Sequence, residues 1–417
     1  MKKHLDFGPR FGPVLYNRPK GSRQYNKVLG IGSVVKSSRH TMGNANVTAA
    51  PATMKRWVLC AVDPDPTKAT LRLEETPVPT PRSGQVLIKV SASPVNPSDY
   101  AIWQRTRPVT DPEPIGNEGA GVVVASGGGM YANSIVGKKV GFTCNVKGSN
   151  SYAEYCVVDA LKGCFPLPDN VPVEDAASHF VNPYTAYGFL DTIRARHVAS
   201  KKSPRPGLVH TAACSQLGQM LVKLCTKEGG ITLINVVRRE SQAATLRALG
   251  AVHIVNTSEE GWEATLKAKI KELGVQFAFD AVAGEMTGKL LSLLPSKGTC
   301  FVYGRLSNQA CAEIQPLDLI YRRKKLEGFF LSSWIKAGGI SATYFRLKRA
   351  TTAVHEGLSP GQNGPGAGWS RTQFEDCNLE GMFESFLDFS ANGFTGRKLR
   401  IRMGGEATEG GSTKSDA

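Results

Sequence analysis

The sequence predicts an α/β protein in two parts, a β-barrel of short strands followed by a doubly wound parallel sheet. Three observations carry that expectation. Short alternating apolar runs follow Met54, strands alternate with helices of about ten residues after Val181, and 417 residues exceed what one small core organises.

The elements follow in order. Residues 1–54 hold nine Lys/Arg against one acid, Asp6, which is half of the formal net charge of +16. Such a basic, acid-poor leader has the composition of a mitochondrial transit segment. A disordered basic extension is the other reading, because Gly8, Pro9, Gly12, Pro13, Pro19 and Gly21 interrupt any helix. The corresponding locations are the mitochondrion or, failing that, the cytoplasm. Strands are then expected at Lys55–Val62, Gln85–Ser93, Gly121–Ser126, Lys139–Thr143 and Ala153–Val158, separated by turns rich in Gly, Pro and Asn. The second part reads as strands Leu208–Ala213, Ile231–Val237, Val252–Val255, Phe277–Val282 and Thr299–Tyr303. Helices Leu217–Thr226, Gln242–Leu249, Trp262–Leu273 and Met286–Leu294 alternate with them. Gly357–Ser370, rich in Gly and Pro, reads as a surface loop, and Gly404–Ala417 as a disordered tail.

Composition excludes several classes. No run of about 18 apolar residues occurs, so no membrane span is expected. The nine cysteines are scattered without a C-x-x-C pair, against a zinc ribbon or a thioredoxin-like motif and in favour of a reducing compartment. The seven histidines read as isolated surface or core residues. Nucleic acid is disfavoured as a partner, since only Tyr16 and Tyr25 interleave with the basic leader.

The first strand–helix turn of the second part, Thr211-Ala212-Ala213-Cys214-Ser215-Gln216-Leu217-Gly218, sits where backbone amides and a helix dipole hold a pyrophosphate. It keeps only Gly218 of a G-x-G-x-x-G fingerprint, so alone it reads as an ordinary turn. About twenty residues later, the second strand ends in Arg238-Arg239. An acid there would accept from a ribose 2′-hydroxyl and favour NAD, whereas two guanidiniums offer forked donors to a 2′-phosphate and favour NADPH.

Several motifs then fall in one order: Val95-Asn96-Pro97-Ser98-Asp99, Gly116-Asn117-Glu118-Gly119, Val181-Asn182-Pro183-Tyr184-Thr185-Ala186-Tyr187, Ile234 to Arg239, Gly328 to Trp334, and Thr395-Gly396-Arg397-Lys398. In this the chain resembles the zinc-independent medium-chain dehydrogenases/reductases of the quinone-oxidoreductase branch, and among them the mitochondrial trans-2-enoyl-CoA reductases, from about residue 55 to 403. The resemblance implies a GroES-like β-barrel substrate domain over 55–182 and 335–403 and a Rossmann NADP-binding domain over 183–334. It implies that Asn182 and Thr185 lie near the cofactor and that Ser215, Gln216, Leu217 and Gly218 cradle its phosphates. Tyr303, Gly304, Phe329, Phe330 and Leu331 would flank the nicotinamide, with Lys398 a further cofactor contact. On the residues alone, Phe329–Leu331 read as core and Asn182-Pro183 as a turn. No metal is expected, since Pro97 and Asn117 stand where zinc-dependent relatives place Cys and His. A homodimer through edge strands of the cofactor domains is also implied.

One departure bears on chemistry. Enoyl-thioester reductases of this type carry a Tyr about eight residues after the Pro-Ser-Asp motif, and this chain reads Gln104-Arg105-Thr106-Arg107-Pro108 there. Tyr100 is the nearby candidate acid, although a place on the barrel wall suits it as well, and Asn182 is the other candidate catalytic side chain. Arg105 or Arg107 could instead meet an anionic substrate. Three readings stand: an NADPH-dependent 2-enoyl-thioester reductase, an NADPH:quinone or enone reductase, and a catalytically silent reductase fold serving as a binding or structural subunit.

Overall fold

A computed structural model describes residues 50–361, 363–364, 366–391 and 396–404. The leader up to residue 49 and the tail from 405 lie outside the described residues. The first strand, Thr53–Ala61, begins two residues ahead of the expected Lys55 and pairs antiparallel with Thr70–Pro77, Trp57 opposite Leu73. A short turn, Pro66–Lys68, connects them, capped by Asp65 through the Thr67 amide. With Glu113–Pro114 these strands form a three-stranded sheet.

A second, seven-stranded sheet runs in the order Phe374–Asn378, Lys398–Arg402, Gln85–Pro94, Glu118–Ser126, Lys139–Thr143 and Cys164–Pro166, with Tyr155–Asp159 also paired to Gln85–Pro94. The expected barrel-like lobe is built from these two sheets among the described residues. They meet where the Trp57 amide donates to Tyr152 O at 2.9 Å and the Glu154 amide to Lys55 O at 3.1 Å. Arg56 and Ala153 make only an isolated bridge at that seam, so no continuous ladder closes it. Trp57, Leu59, Val95, Trp103, Phe386, Leu399 and Ile401 fill the core beside it.

The six-stranded sheet is parallel, in the order His253–Asn256, Thr232–Val237, Gly207–His210, Phe277–Asp280, Thr299–Val302 and Lys325–Gly328. Its order reverses between Gly207–His210 and Phe277–Asp280, which opens a crevice at the strands' carboxyl ends. Phe189 from the helix Val181–Arg196 stacks on Phe279 at 3.9 Å, and Phe279 on Phe301 at 4.7 Å. These rings anchor that helix to the sheet.

Two expectations change here. Asn182-Pro183 is no free turn: it opens the 16-residue helix Val181–Arg196, where a proline is tolerated because first-turn amides lack intrahelical acceptors. Gly357–Ser370 is not wholly a surface loop. The helix Gly339–Leu358 runs into it, and Trp369 is fully buried with Nε1 donating to Ala353 O at 3.1 Å. The surrounding glycines mask one aromatic anchor.

Candidate active site

The turn after Gly207–His210 is shaped by residues without side-chain bulk. Ala212 adopts a left-handed φ of 49°, and Ser215 caps the helix Gln216–Glu228 by accepting from the Gly218 amide at 3.2 Å. A Cβ on Gly218 would lie 2.1 Å from Ala213 O, so only glycine lets the helix approach the turn this closely. The positive end of the helix dipole faces the crevice, a setting that suits a pyrophosphate.

Asp280, at the end of the neighbouring strand, secures the crevice floor and was not singled out in the sequence. Its carboxylate accepts from Thr211 Oγ1 at 2.9 Å, Thr287 Oγ1 at 2.7 Å, and the Val282 and Ala283 amides at 2.9 and 3.2 Å. Beside it the Tyr303 hydroxyl and His210 Nε2 lie 2.7 Å apart. Burial holds His210 down near 3 and pushes the Tyr303 phenol up, so neither ionises at neutral pH. Gly304 packs on Ala281, where a Cβ would meet its carbonyl oxygen at 2.7 Å.

The expected phosphate grip divides. Arg239 lines a cavity of about 620 Å³ with Cys214, Gln219, Gln242, Thr245, Gln373, Gly396 and Arg397. Arg238, exposed like Arg239, does not line it; its backbone amide donates to Gln242 Oε1 at 3.0 Å. Arg397, from the far end of the chain, stands there as the second guanidinium.

Other expected site residues are placed as follows. Asn182 and Thr185 occupy the first turns of the helix Val181–Arg196, both largely buried, and Thr185 Oγ1 donates to Val181 O at 2.6 Å. Gln216 spends its side chain on Gly396 O and the Gln373 amide. Leu217 packs into the main core. Phe329 meets Phe189 edge-on at 4.9 Å and Leu331 packs against the same core, whereas Phe330 is 66% exposed, contrary to the core reading for all three. The strand ends at Gly328, and alternation turns Phe330 outward. Tyr100 packs its ring on Trp103 and Phe386, with burial raising its pKa; it is half-buried against the β-sheet core. Arg105 is taken by a bidentate pair with Glu113, both bonds 2.7 Å, while Arg107 is exposed.

Lys398 lies inside the β-sheet lobe. Its ammonium is buried and donates to Asn96 Oδ1, and burial lowers its pKa to about 8, opposed by Glu118 and Asp99. It belongs to an internal network with Asn96, Glu118 and Asp99. Asp99 accepts from the Asn96 amide at 2.7 Å and Tyr152 Oη at 2.9 Å, and burial raises it to about 7. Burial also pushes the Glu118 carboxyl up, against the pull of Lys398 and its donors.

The histidines are not all isolated: His179 and His355 bring their Nε2 atoms within 3.0 Å in the interior. Even so, among the described residues no three His, Cys, Asp or Glu side chains converge as a metal would need. Pro97 and Asn117, the residues at the motif positions, do not fit zinc.

Residues 82–169 match the alcohol dehydrogenase GroES-like domain family and residues 217–343 the zinc-binding dehydrogenase family. The mitochondrial enoyl-[acyl-carrier-protein] reductase of Xenopus tropicalis is 31% identical over 283 residues, covering 64% of this chain and 74% of that protein. Prostaglandin reductase-3 of Mus musculus is 29% identical over 297 residues, 69% of this chain and 75% of that protein. A solved structure from Mesorhizobium loti, provisionally assigned as an NADPH:quinone reductase, superposes with a TM-score of 0.73 at 30% identity, covering 85% of this chain and all of the other.

Proposed function

Since the chain belongs to the medium-chain dehydrogenase/reductase family, in the branch holding enoyl-thioester and quinone reductases, we propose that it is an NADPH-dependent reductase of an activated C=C bond, with a 2-enoyl thioester as substrate. The observation that carries this is a cavity flanked by Arg239 and Arg397, lined by Cys214 of the turn after Gly207–His210 and by the helix Glu240–Ala248. When bound there, NADPH would supply the hydride.

The residues present suit that cofactor. The Gly218 cradle and the Ser215-capped helix would hold the pyrophosphate, Arg239 and Arg397 the 2′-phosphate, and Tyr303, Gly304 and Phe329 the nicotinamide side. Phe329, Leu331 and Trp334 exclude water from that end, and Trp334 is itself fixed by Nε1 donating to Asp191 at 3.0 Å. Asn182 is the polar side chain best placed to orient a substrate carbonyl, because its helix is pinned at both the sheet and the adjoining lobe.

A second reading, an NADPH:quinone or enone reductase, is favoured by the engagement of Arg105 with Glu113 and of Tyr100 with the aromatic core. A hydroquinone takes its protons from solvent and needs no dedicated acid. NADPH oxidation by the full-length chain, offered crotonyl-CoA and separately a small quinone, decides between them. Turnover of crotonyl-CoA supports the first reading, turnover of quinone alone the second. Binding of NADPH with neither turnover leaves the catalytically silent fold.

The mitochondrial location of the similar Xenopus reductase and the basic leader support a mitochondrial site of action. No helix among the described residues is long and apolar enough to cross a membrane. A homodimer is supported by the terminal strand Lys325–Gly328 of the six-stranded sheet, flanked by exposed Leu317, Ile320, Tyr321 and Phe330. Light scattering on the wild type and Tyr321→Glu tests it, the variant being expected to shift to monomer.

A further inference from the structure

We propose that Glu118, held by Asn96 and Lys398, is a positioning residue for the reduction: from one lobe it caps the helix that carries Asn182 and Thr185 in the other. This rests on the reductase reading above.

The helix Val181–Arg196 starts without a cap of its own. Phe180 stands at its N-cap position with φ −106° and ψ −60°, and no side chain there accepts a hydrogen bond from the first turn. Its leading amides are nonetheless buried and need acceptors. Glu118, on the strand Glu118–Ser126, supplies one atom for two of them. Its Oε2 accepts from the Phe180 amide at 2.7 Å and from the Val181 amide at 2.9 Å. A carboxylate at this point also faces the positive end of the helix dipole.

The other carboxylate oxygen is fixed as well. Glu118 Oε1 accepts from Asn96 Nδ2 at 2.9 Å, and Asn96 Oδ1 accepts from Lys398 Nζ. Ser93 Oγ donates to the Glu118 carbonyl at 2.7 Å, which holds the strand itself. Glu118 is fully buried, and Asn96 and Lys398 nearly so. Three segments distant in sequence therefore converge on one carboxylate.

The consequence passes through a single residue. Val181 donates its amide to Glu118 and accepts the Thr185 hydroxyl on its carbonyl at 2.6 Å. Both ends of the residue preceding Asn182 are thus anchored, one by the neighbouring lobe and one by the helix. Sub-ångström placement of Asn182 follows from where Glu118 sits.

Energetics argue for geometry over stability. Burying a carboxylate and an ammonium costs several kcal/mol each, and well-packed apolar residues of similar volume are often no worse for stability. What apolar replacements cannot provide is a directional lock between two lobes that meet across a reaction cleft. Neither Glu118 nor Lys398 is assigned contact with substrate.

The test compares full-length wild type, Glu118→Gln and Lys398→Met by four measurements. These are kcat and KM on the substrate turned over, NADPH affinity by fluorescence titration, backbone hydrogen exchange over residues 180–186, and thermal unfolding. The expected result is a kcat about 10- to 100-fold lower in Glu118→Gln, as misplacement of a reacting pair produces, with NADPH affinity at the wild-type value. Exchange of the Phe180 and Val181 amides should rise roughly tenfold, the equivalent of one weakened hydrogen bond. Lys398→Met should show the same pattern in milder form, and it serves alone if Glu118→Gln does not fold. Unchanged kcat with faster exchange overturns the positioning role, and unchanged exchange overturns the cap. Wild-type inactivity on both substrates overturns the reductase reading instead, while the exchange result still judges the cap.

Discussion

Thr211 Oγ1 donates to Asp280 Oδ1 across 2.9 Å, and the same hydroxyl accepts the Ala281 amide at 2.8 Å. These residues end the two central strands on either side of the order reversal, so the pair ties together both turns that border the crevice. Asp280→Asn puts an amide NH₂ among donors that need acceptors. It should destabilise the protein by roughly 1–3 kcal/mol, the cost of leaving buried polar groups unsatisfied. Urea unfolding measures the loss, and NADPH titration should show a parallel fall in affinity as the turns loosen.

The division of the arginine pair makes a second prediction. Arg239→Ala should weaken NADPH binding by roughly 1.5–3 kcal/mol, the usual size of a charge-assisted hydrogen bond, with NADH affinity little changed. Arg397→Ala should follow it, and Arg238→Ala should have the smallest effect of the three because it stands outside the cavity. Isothermal titration with both nucleotides checks the ranking. Equal losses for NADPH and NADH would remove the 2′-phosphate from the argument.

Asp99 gives a pH dependence. Its carboxyl titrates near 7 in the fold against an ordinary value of 3.8, chiefly because burial penalises the charge, and its Oδ1 has no hydrogen-bond partner. Between those two values the folded chain holds a proton that the unfolded chain has released. The stability this contributes is therefore present at low pH and is lost as pH rises through about 7. Asp99→Asn keeps a carbonyl for the Asn96 amide and Tyr152, yet carries no charge. Its stability relative to wild type should rise by roughly 1–3 kcal/mol between pH 5 and pH 8, measured by chemical denaturation.

Gly218→Ala tests the helix–turn approach. The new Cβ would fall 2.1 Å from Ala213 O and 2.5 Å from its carbonyl carbon, both backbone atoms that cannot rotate away. Overpacking of this kind costs roughly 1–3 kcal/mol or more, and displacement of the helix should lower NADPH affinity as well. Gly328→Ala, where a Cβ meets nothing within 4 Å, is the control and should leave the melting temperature within error.

Much of the fold was legible from periodicity. Trp262–Leu273 is a helix with the bounds the sequence predicts, and Lys139–Thr143 a strand with the bounds it predicts, because each carries its own pattern and its own end signals. The strand expected over Leu208–Ala213 stops at His210, since the left-handed Ala212 turns the chain where composition still reads as apolar. Lys325–Gly328 and Phe374–Asn378 gave no strand signal, being short and charged, and owe their state to neighbours that offer a free ladder. The helix Val181–Arg196 was hidden by Pro183 and by the absence of any local cap.

The site divides in the same way. Sequence by itself determined the α/β class, the order of motifs, the family likeness and a basic pair at the end of the second parallel strand, because periodicity and local spacing are properties of neighbouring residues. Only the tertiary structure decided that Arg397 and not Arg238 joins Arg239 in lining the cavity, that Lys398 is buried on Asn96, and that Glu118 caps a helix 62 residues further along. Those outcomes depend on which distant groups are left with unsatisfied charge or hydrogen bonds once the lobes pack, and no local pattern encodes that.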